Sequence, residues 1–125
     1  MTILLDTHVF LWTLTDDARL SQKARDLIGT ADIVYVSSVS IWEIAIKKRL
    51  GKIQVDLDLL IKGIEQQEFV ELFFKAKHAI KTSEVMSHHH DPFDRALVAQ
   101  ALSESLRLIT ADKTLQAYSD LIEVI

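Results

Sequence analysis

Short apolar runs and helical patterns alternate along the whole chain. Five runs are apolar and in part β-branched, which predicts strands at ILLD (3–6), DIVYVSS (32–38), FVELF (69–73), LRLIT (106–110) and LIEVI (121–125). Helices are predicted between them, at THVFLWTL (7–14), SQKARDLIGTA (21–31), VSIWEIAIKKRLG (39–51), DLDLLIKGIEQQ (56–67), KAKHAIKTSEV (75–85), DPFDRALVAQALSES (91–105) and ADKTLQAYS (111–119). Apolar strands that alternate with helices indicate an α/β fold, with a central parallel sheet covered on both faces.

Boundary residues support three of these helices. Ser21 is a favourable N-cap for the second helix, and Gly51 is typical of a helix C-terminus. Asp91 followed by Pro92 predicts an N-cap and a first helical residue, because proline there loses no hydrogen bond. The helix over 91–105 is therefore the most clearly delimited part of the pattern.

Composition sets the number of domains and argues against a secreted or membrane protein. A length of 125 residues with 49% hydrophobic residues predicts a single domain over residues 1–125 with a proper core. The start, MTILLDTHVF, lacks the basic segment of a signal peptide, and no apolar run is long enough to cross a bilayer. We therefore expect a cytoplasmic protein without a membrane partner.

Charge and cysteine content narrow the chemistry further. The absence of cysteine excludes disulfides, thiolate nucleophiles and thiolate zinc sites. A net charge of −4 argues against binding of nucleic acid through bulk charge. It leaves open a nuclease whose acidic centre binds metal first and phosphate second.

Four acidic residues occupy corresponding places in the predicted fold. Asp6 ends the first strand, and Asp112 closely follows the strand LRLIT. Glu43 lies in the first turns of the helix after DIVYVSS, and Asp94 lies in the first turn of the helix that begins after Asp91. Since sites in parallel sheets form outside the carboxyl ends of the strands, we expect these four carboxylates to converge there.

Each acid also has a purely structural interpretation. Asp6 and Asp112 are candidate N-caps of the helices that follow them. Ser40 and Glu43 match the S-x-x-E capping box, and Glu43 with Lys47 forms a favourable i,i+4 pair. Asp94, at the third helical position, could simply favour the helix dipole.

Two observations favour the functional interpretation. Glu43 is the only charge in VSIWEIAI, where a lone carboxylate needs a partner or a purpose. Carboxylates crowded together repel one another, and a hard divalent cation such as Mg²⁺ relieves that repulsion. Such a site can activate water and stabilise a phosphodiester transition state.

Several segments together resemble one known family. LLDTHVFLW, SSVSIWEIAIKKRLGKI, HHHDPFDRALVAQA and LITADK resemble the PIN-domain ribonucleases, specifically the VapC-type toxins of bacterial toxin–antitoxin pairs, and the motif order is kept over nearly the whole chain. The resemblance implies a PIN-like three-layer sandwich with a central parallel sheet of about five strands flanked by helices. It also implies an Mg²⁺- or Mn²⁺-dependent endoribonuclease that is usually a homodimer, and that a cognate antitoxin inhibits by covering the acidic groove.

The resemblance implies that the four acids of the family are the same residues, Asp6, Glu43, Asp94 and Asp112. Our hypothesis for their roles is that Asp6 and Asp94 coordinate Mg²⁺ directly, that Asp112 completes the shell partly through water, and that Glu43 positions the attacking water or helps to accept its proton. The RNA phosphodiester would then be hydrolysed in line to a 5′-phosphate and a 3′-hydroxyl. Asp91 belongs to the motif as a capping residue.

Other residues near the acids are candidates for supporting roles. Thr7 and Thr110 have hydroxyls that could orient a water, and Arg95 is expected to brace Asp91 more than to contact RNA. His88 and His90 could contact RNA phosphate, while a histidine-ligated transition-metal site is the less favoured interpretation.

The loop before Asp91 departs from the family pattern. His90 stands where members often carry a basic residue, and VMS (85–87) replaces the usual Leu-Pro. The shape of the loop at 86–90, and with it the choice of substrate, therefore stays open.

The basic cluster KKR (47–49) with Lys52 stays open between a solvated helix end and a rim that contacts phosphate.

Two alternative functions remain at this stage. A phospho-acceptor receiver module would need an acidic pair after the first strand, whereas Asp6 is followed by Thr7 and His8. A catalytically inert PIN-like module that only binds a protein partner is disfavoured by the intact set of acids.

Overall fold

The structure, a computed structural model, describes residues 1–85 and 91–125. Its strands are β1 (Thr2–Leu5), β2 (Ile33–Ser37), β3 (Val70–Leu72), β4 (Arg107–Thr110) and β5 (Ile122–Val124). Its helices are α1 (Thr7–Thr15), α2 (Gln22–Thr30), α3 (Ser38–Arg49), α4 (Leu57–Gln66), α5 (Ala76–Thr82), α6 (Pro92–Glu104) and a 3₁₀ helix (Lys113–Tyr118). Every predicted strand and helix is present, with ends shifted by at most three residues.

The five strands form one parallel sheet in the order β3-β2-β1-β4-β5. The central strand β1 pairs with β2 on one side and β4 on the other, so Leu4 lies opposite both Tyr35 and Leu108. The predicted α/β fold with a helix-flanked parallel sheet is confirmed. The strand order differs from the 2-1-3-4-5 order of receiver modules, which removes that alternative.

The alternation of side chains along β1 divides the core into two layers. Ile3 and Leu5 point to one face of the sheet and Leu4 to the other, because successive strand residues face opposite sides. The first layer includes buried residues of α1, α2 and α4, such as Phe10, Ala24 and Leu60. The second is built largely from α6, whose segment 96–101 is buried against the sheet.

The predicted caps of α2 and α6 are confirmed, and one other cap is wrong. Ser21 caps α2, and Asp91 caps α6 with Pro92 as its first residue. The S-x-x-E capping box at Ser40 does not form, because the N-cap of α3 is Ser37, three residues earlier. The hydroxyl of Ser37 accepts the N–H of Val39 at 3.0 Å and takes the capping position.

Across residues 1–85 and 91–125, no helix combines the length and the apolar character that crossing a membrane requires.

Candidate active site

Four segments bring their acids to the carboxyl edge of the sheet. Asp6 directly follows β1, Asp112 follows β4 by two residues, Glu43 lies in the second turn of α3, and Asp94 lies in the first turn of α6. They line one cavity of about 300 Å³, whose lining residues are Asp6, His8, Trp12, Glu43, Asp91, Asp94, Ala111 and Asp112. The structure thus brings together the four acids that the sequence singled out.

Asp6 is the most buried of the aspartates in the cavity wall. Its side chain caps α1, because Oδ1 accepts the N–H of Val9 at 3.0 Å, and Oδ2 accepts the hydroxyl of Thr110. Burial raises the pKa of Asp6, although the hydrogen bonds from Thr110 and Val9 and the charge of His8 oppose the rise. Asp6 therefore caps α1, as its structural interpretation predicted, and also lies in the cavity wall.

Glu43 is buried and held from two sides. The hydroxyl of Thr7 donates to Oε1 at 2.7 Å, and Nζ of Lys47 donates to Oε2 at 2.6 Å. The hydroxyl of Ser40 lies 2.9 Å from that of Thr7 and extends the network. The predicted i,i+4 pair of Glu43 and Lys47 is thus present, and Ser40 supports Thr7 instead of capping the helix.

Thr110 connects the two acids that follow β1 and β4. Its buried hydroxyl donates to Asp6 and accepts the backbone N–H of Asp112 at 3.0 Å. The carboxylate of Asp112 caps the 3₁₀ helix by accepting the N–H of Thr114 at 2.9 Å and its hydroxyl at 2.7 Å. Thr7 and Thr110, which were expected to orient a water, hydrogen-bond the acids themselves.

Asp91 and Asp94 both lie at the N-terminus of α6. Oδ1 of Asp91 accepts the N–H of Phe93 at 2.8 Å and that of Asp94 at 3.4 Å, so its carboxylate is directed at the helix end. The expected ion pair with Arg95 is not among those formed within residues 1–85 and 91–125. Within the same residues, Nε of Arg95 is buried without a hydrogen-bond partner.

Two cavity residues were not assigned from the sequence. The ring of His8 lies 6.4 Å from that of Trp12, and the guanidinium of Arg19 stacks over Trp12 at 5.1 Å. His8 and Trp12 are four residues apart on α1 and so share one face of the helix, but their place beside Asp6 in the cavity follows from the tertiary structure. His88 and His90 lie outside the described residues.

The donor chemistry of the cavity suits a hard cation. Carboxylate oxygens from Asp6, Asp94 and Asp112 are the ligands that Mg²⁺ and Mn²⁺ prefer. Among the described residues, no three histidine, aspartate or glutamate side chains are already arranged to hold a metal ion. Oxygens of Asp6 and Asp112 accept hydrogen bonds from Val9, Thr110 and Thr114, and each carboxylate keeps further lone pairs with which it could bind a cation.

Comparisons with known proteins identify the family of this chain. The PIN domain family model matches residues 3–121. Ribonuclease VapC22 of Mycobacterium tuberculosis is 30% identical over 119 residues, which cover 94% of this chain and 92% of that protein.

Solved structures share the fold at low sequence identity. VapBC2 from Rickettsia felis bound to a promoter DNA fragment superposes with a TM-score of 0.72 at 14% identity, over 99% of this chain and 98% of that chain. A toxin–antitoxin complex from Klebsiella pneumoniae gives a TM-score of 0.68 at 14% identity, over 98% and 96% of the two chains. The family match covers nearly all of the sequence, and the chain therefore belongs to the PIN-domain family.

Proposed function

We propose that the protein is a metal-dependent endoribonuclease and the toxin of a toxin–antitoxin pair. The observation that carries the proposal is the cavity at the carboxyl edge of the sheet, to which four separate segments contribute an acid. Membership of the PIN-domain family and the ribonuclease relative support the choice of reaction. RNA is the substrate, and the cytoplasm is the expected compartment.

In this proposal, Asp6, Asp94 and Asp112 hold the cation. Mg²⁺, or Mn²⁺ in its place, supplies positive charge that offsets the crowded carboxylates and stabilises the phosphodiester transition state. Thr110 fixes two of the three acids relative to each other, since its hydroxyl contacts both Asp6 and the backbone of Asp112.

Glu43 orients the attacking water. Both of its oxygens already accept hydrogen bonds, from Thr7 and Lys47, and this favours an orienting role over that of a freely moving base. The water oxygen attacks phosphorus in line and the bond to the 3′-oxygen breaks. The phosphate takes the hydroxyl of the water, and the second proton of the water ends on the 3′-oxygen. The products are a 5′-phosphate and a 3′-hydroxyl.

A cognate antitoxin and a second copy of the chain are the proposed protein partners. The structures that share this fold include one described as a toxin–antitoxin complex and one described as VapBC2 on promoter DNA. The antitoxin would inhibit by covering the acidic cavity, which is where the substrate must enter.

Cleavage of RNA by antitoxin-free protein tests the proposal directly. We expect cleavage with Mg²⁺ or Mn²⁺ that EDTA abolishes and that Asp94→Asn lowers strongly. Asp58→Asn is the matched control, because Asp58 also lies in the first turn of a helix, yet is exposed and does not line this cavity. Cleavage that survives both EDTA and Asp94→Asn would refute the metal–carboxylate mechanism. Absence of cleavage of any RNA would favour an inert binding module.

Thermal or urea unfolding gives a second readout that does not depend on activity. A cation that binds only the folded state, at about a hundredfold above its Kd, adds about 2.7 kcal/mol to the free energy of unfolding. We expect Mg²⁺ to stabilise the wild type and Asp58→Asn, and to have little effect on Asp94→Asn. Equal stabilisation of all three proteins would remove Asp94 from the set of ligands.

A further inference from the structure

Lys47 is a basic side chain set among the acids. It lies one turn after Glu43 on α3, and its Nζ is 2.6 Å from Oε2 of Glu43. The charges of Asp91 and Asp94 on α6 also act on its ammonium group. Within residues 1–85 and 91–125, it is the one lysine or arginine in an ion pair with a carboxylate that lines the cavity.

Glu43 and Lys47 differ in how far their side chains are exposed, whereas both partners of an ordinary surface ion pair are exposed. The side chain of Glu43 is 4% exposed, whereas that of Lys47 is 33% exposed. An ammonium group has three N–H donors, and one of them reaches Glu43. The Lys47 side chain is therefore partly open to water beside a residue of the acidic cavity, and Glu43 leaves two of its three donors for a further acceptor.

The substrate creates a need for a cation at this place. The chain has a net charge of −4, and each RNA phosphodiester brings a further negative charge toward a cavity walled by carboxylates. Lysine suits the task, because its compact charge on a flexible stem is a common phosphate ligand. The ion pair with Glu43 keeps that charge beside the cavity while the substrate is absent.

We propose that Lys47 binds the RNA backbone at the acidic cavity, by donating to a phosphate oxygen while it remains hydrogen-bonded to Glu43. The inference rests on the proposed ribonuclease function and adds a substrate-binding residue to it. One side chain then links the orientation of Glu43 to the position of the phosphate.

The salt dependence of RNA binding tests the proposal. The probe is a fluorescently labelled single-stranded RNA of mixed sequence, titrated by anisotropy in the presence of Ca²⁺. For single strands, each phosphate contact contributes about 0.7 to the slope of log affinity against log salt. Lys47→Met should weaken binding and lower that slope by about 0.7, and Lys47→Arg should restore most of the slope because the charge returns.

Lys48→Met is the matched control. Lys48 is the next residue on the same helix and is exposed, and it forms no ion pair with a cavity acid among the described residues. We expect its slope to equal that of the wild type. Equal losses for Lys47→Met and Lys48→Met would overturn the inference, because they would indicate a diffuse effect of the basic helix end.

The same substitution in a Glu43→Gln protein separates phosphate binding by Lys47 from a merely structural role. If Lys47 only positions Glu43, then Lys47→Met should not change RNA affinity in a Glu43→Gln protein. If Lys47 contacts phosphate, the same fall in slope should appear in that background. The double variant also avoids leaving a buried carboxylate unpaired, so it protects the test from loss of the fold.

Cleavage assays distinguish failure of the Lys47 inference from failure of the proposed function. Metal-dependent cleavage by the wild type together with unchanged RNA binding by Lys47→Met would overturn the inference and leave the proposed function standing. RNA binding that depends on Lys47 in a protein that cleaves no RNA would contradict the proposed function and retain the role of Lys47.

Discussion

Replacement of Thr110 by valine isolates the hydroxyl that ties Asp6 to Asp112. Valine has nearly the same shape, so it leaves no cavity, yet it can neither donate to Asp6 nor accept the N–H of Asp112. Thr110 is fully buried, and the valine methyl group occupies the place of the lost hydroxyl, so water does not take up its position. The variant therefore removes two hydrogen bonds without changing the packing.

The expected loss of stability follows from these two contacts. A hydrogen bond to a charged group contributes about 1.5–3 kcal/mol, and the loss of an acceptor for a half-buried backbone N–H costs about 1 kcal/mol. The free energy of unfolding should therefore fall by about 3 kcal/mol, a large part of the stability of a small domain. Thr110→Ser keeps the hydroxyl and loses one buried methyl group, which costs about 1 kcal/mol.

Urea unfolding of the three proteins at neutral pH measures the difference. We expect the stability to decrease in the order wild type, Thr110→Ser, Thr110→Val. Pairing Thr110→Val with Asp6→Asn in a double-mutant cycle should show coupling, since the hydroxyl acts on the charge of Asp6. If Thr110→Val equals or exceeds Thr110→Ser in stability, the hydroxyl does not stabilise the buried carboxylate and the reasoning fails.

Three further predictions concern stability. Burial raises the pKa of Asp6 above its usual value of 3.8, so the contribution of Asp6 to stability is complete below pH 3.8 and is lost as pH rises through the folded pKa. In measurements of the free energy of unfolding against pH, Asp6→Asn should flatten this decline. Hydrogen bonds from Lys77 and then His78 lower the pKa of Glu104 from 4.5, so the contribution of Glu104 to stability is present above pH 4.5 and is lost as pH falls through the lowered pKa. Glu104→Gln should remove that loss. If the pH dependence of unfolding is the same in a variant as in the wild type, the pKa shift assigned to that residue, Asp6 or Glu104, is wrong. Leu97 is fully buried in α6, so Leu97→Ala should lower the urea-derived free energy of unfolding by about 2–5 kcal/mol, and a loss under about 1 kcal/mol would mean that α6 does not pack as described.

The fold could be predicted from the sequence because its signals are local. Short apolar strands, helical periodicity and the Asp91–Pro92 start of α6 each depend on a few neighbouring residues, and all are present in the structure. The parallel arrangement followed from the alternation of strands and helices. The edge of the sheet at which the acids meet followed in turn from that arrangement.

The contacts that hold the acids could not be predicted, because they join residues far apart in the chain. Thr7 reaches Glu43 over 36 positions, and Thr110 reaches Asp6 over 104. The local S-x-x-E pattern at Ser40 instead suggested a cap, although its hydroxyl pairs with Thr7 in the folded chain. Sequence spacing identified which acids converge and that Lys47 pairs with Glu43, whereas only the tertiary structure shows which hydroxyls hold the acids.

The position of β1 in the middle of the sheet has a consequence for when the cavity can form during synthesis. Asp6 emerges from the ribosome early, but the N–H of Asp6 bonds the carbonyl of Ile109, and its carboxylate is held by Thr110. These partners belong to β4, so the loop between them must close over about a hundred residues, which is a slow step in folding. A nascent chain that stops before β4 has neither the pairing of β1 with β4 nor the last acid. For the nuclease proposed above, assembling the cavity from both ends of the chain would delay cleavage until translation of this domain is almost complete.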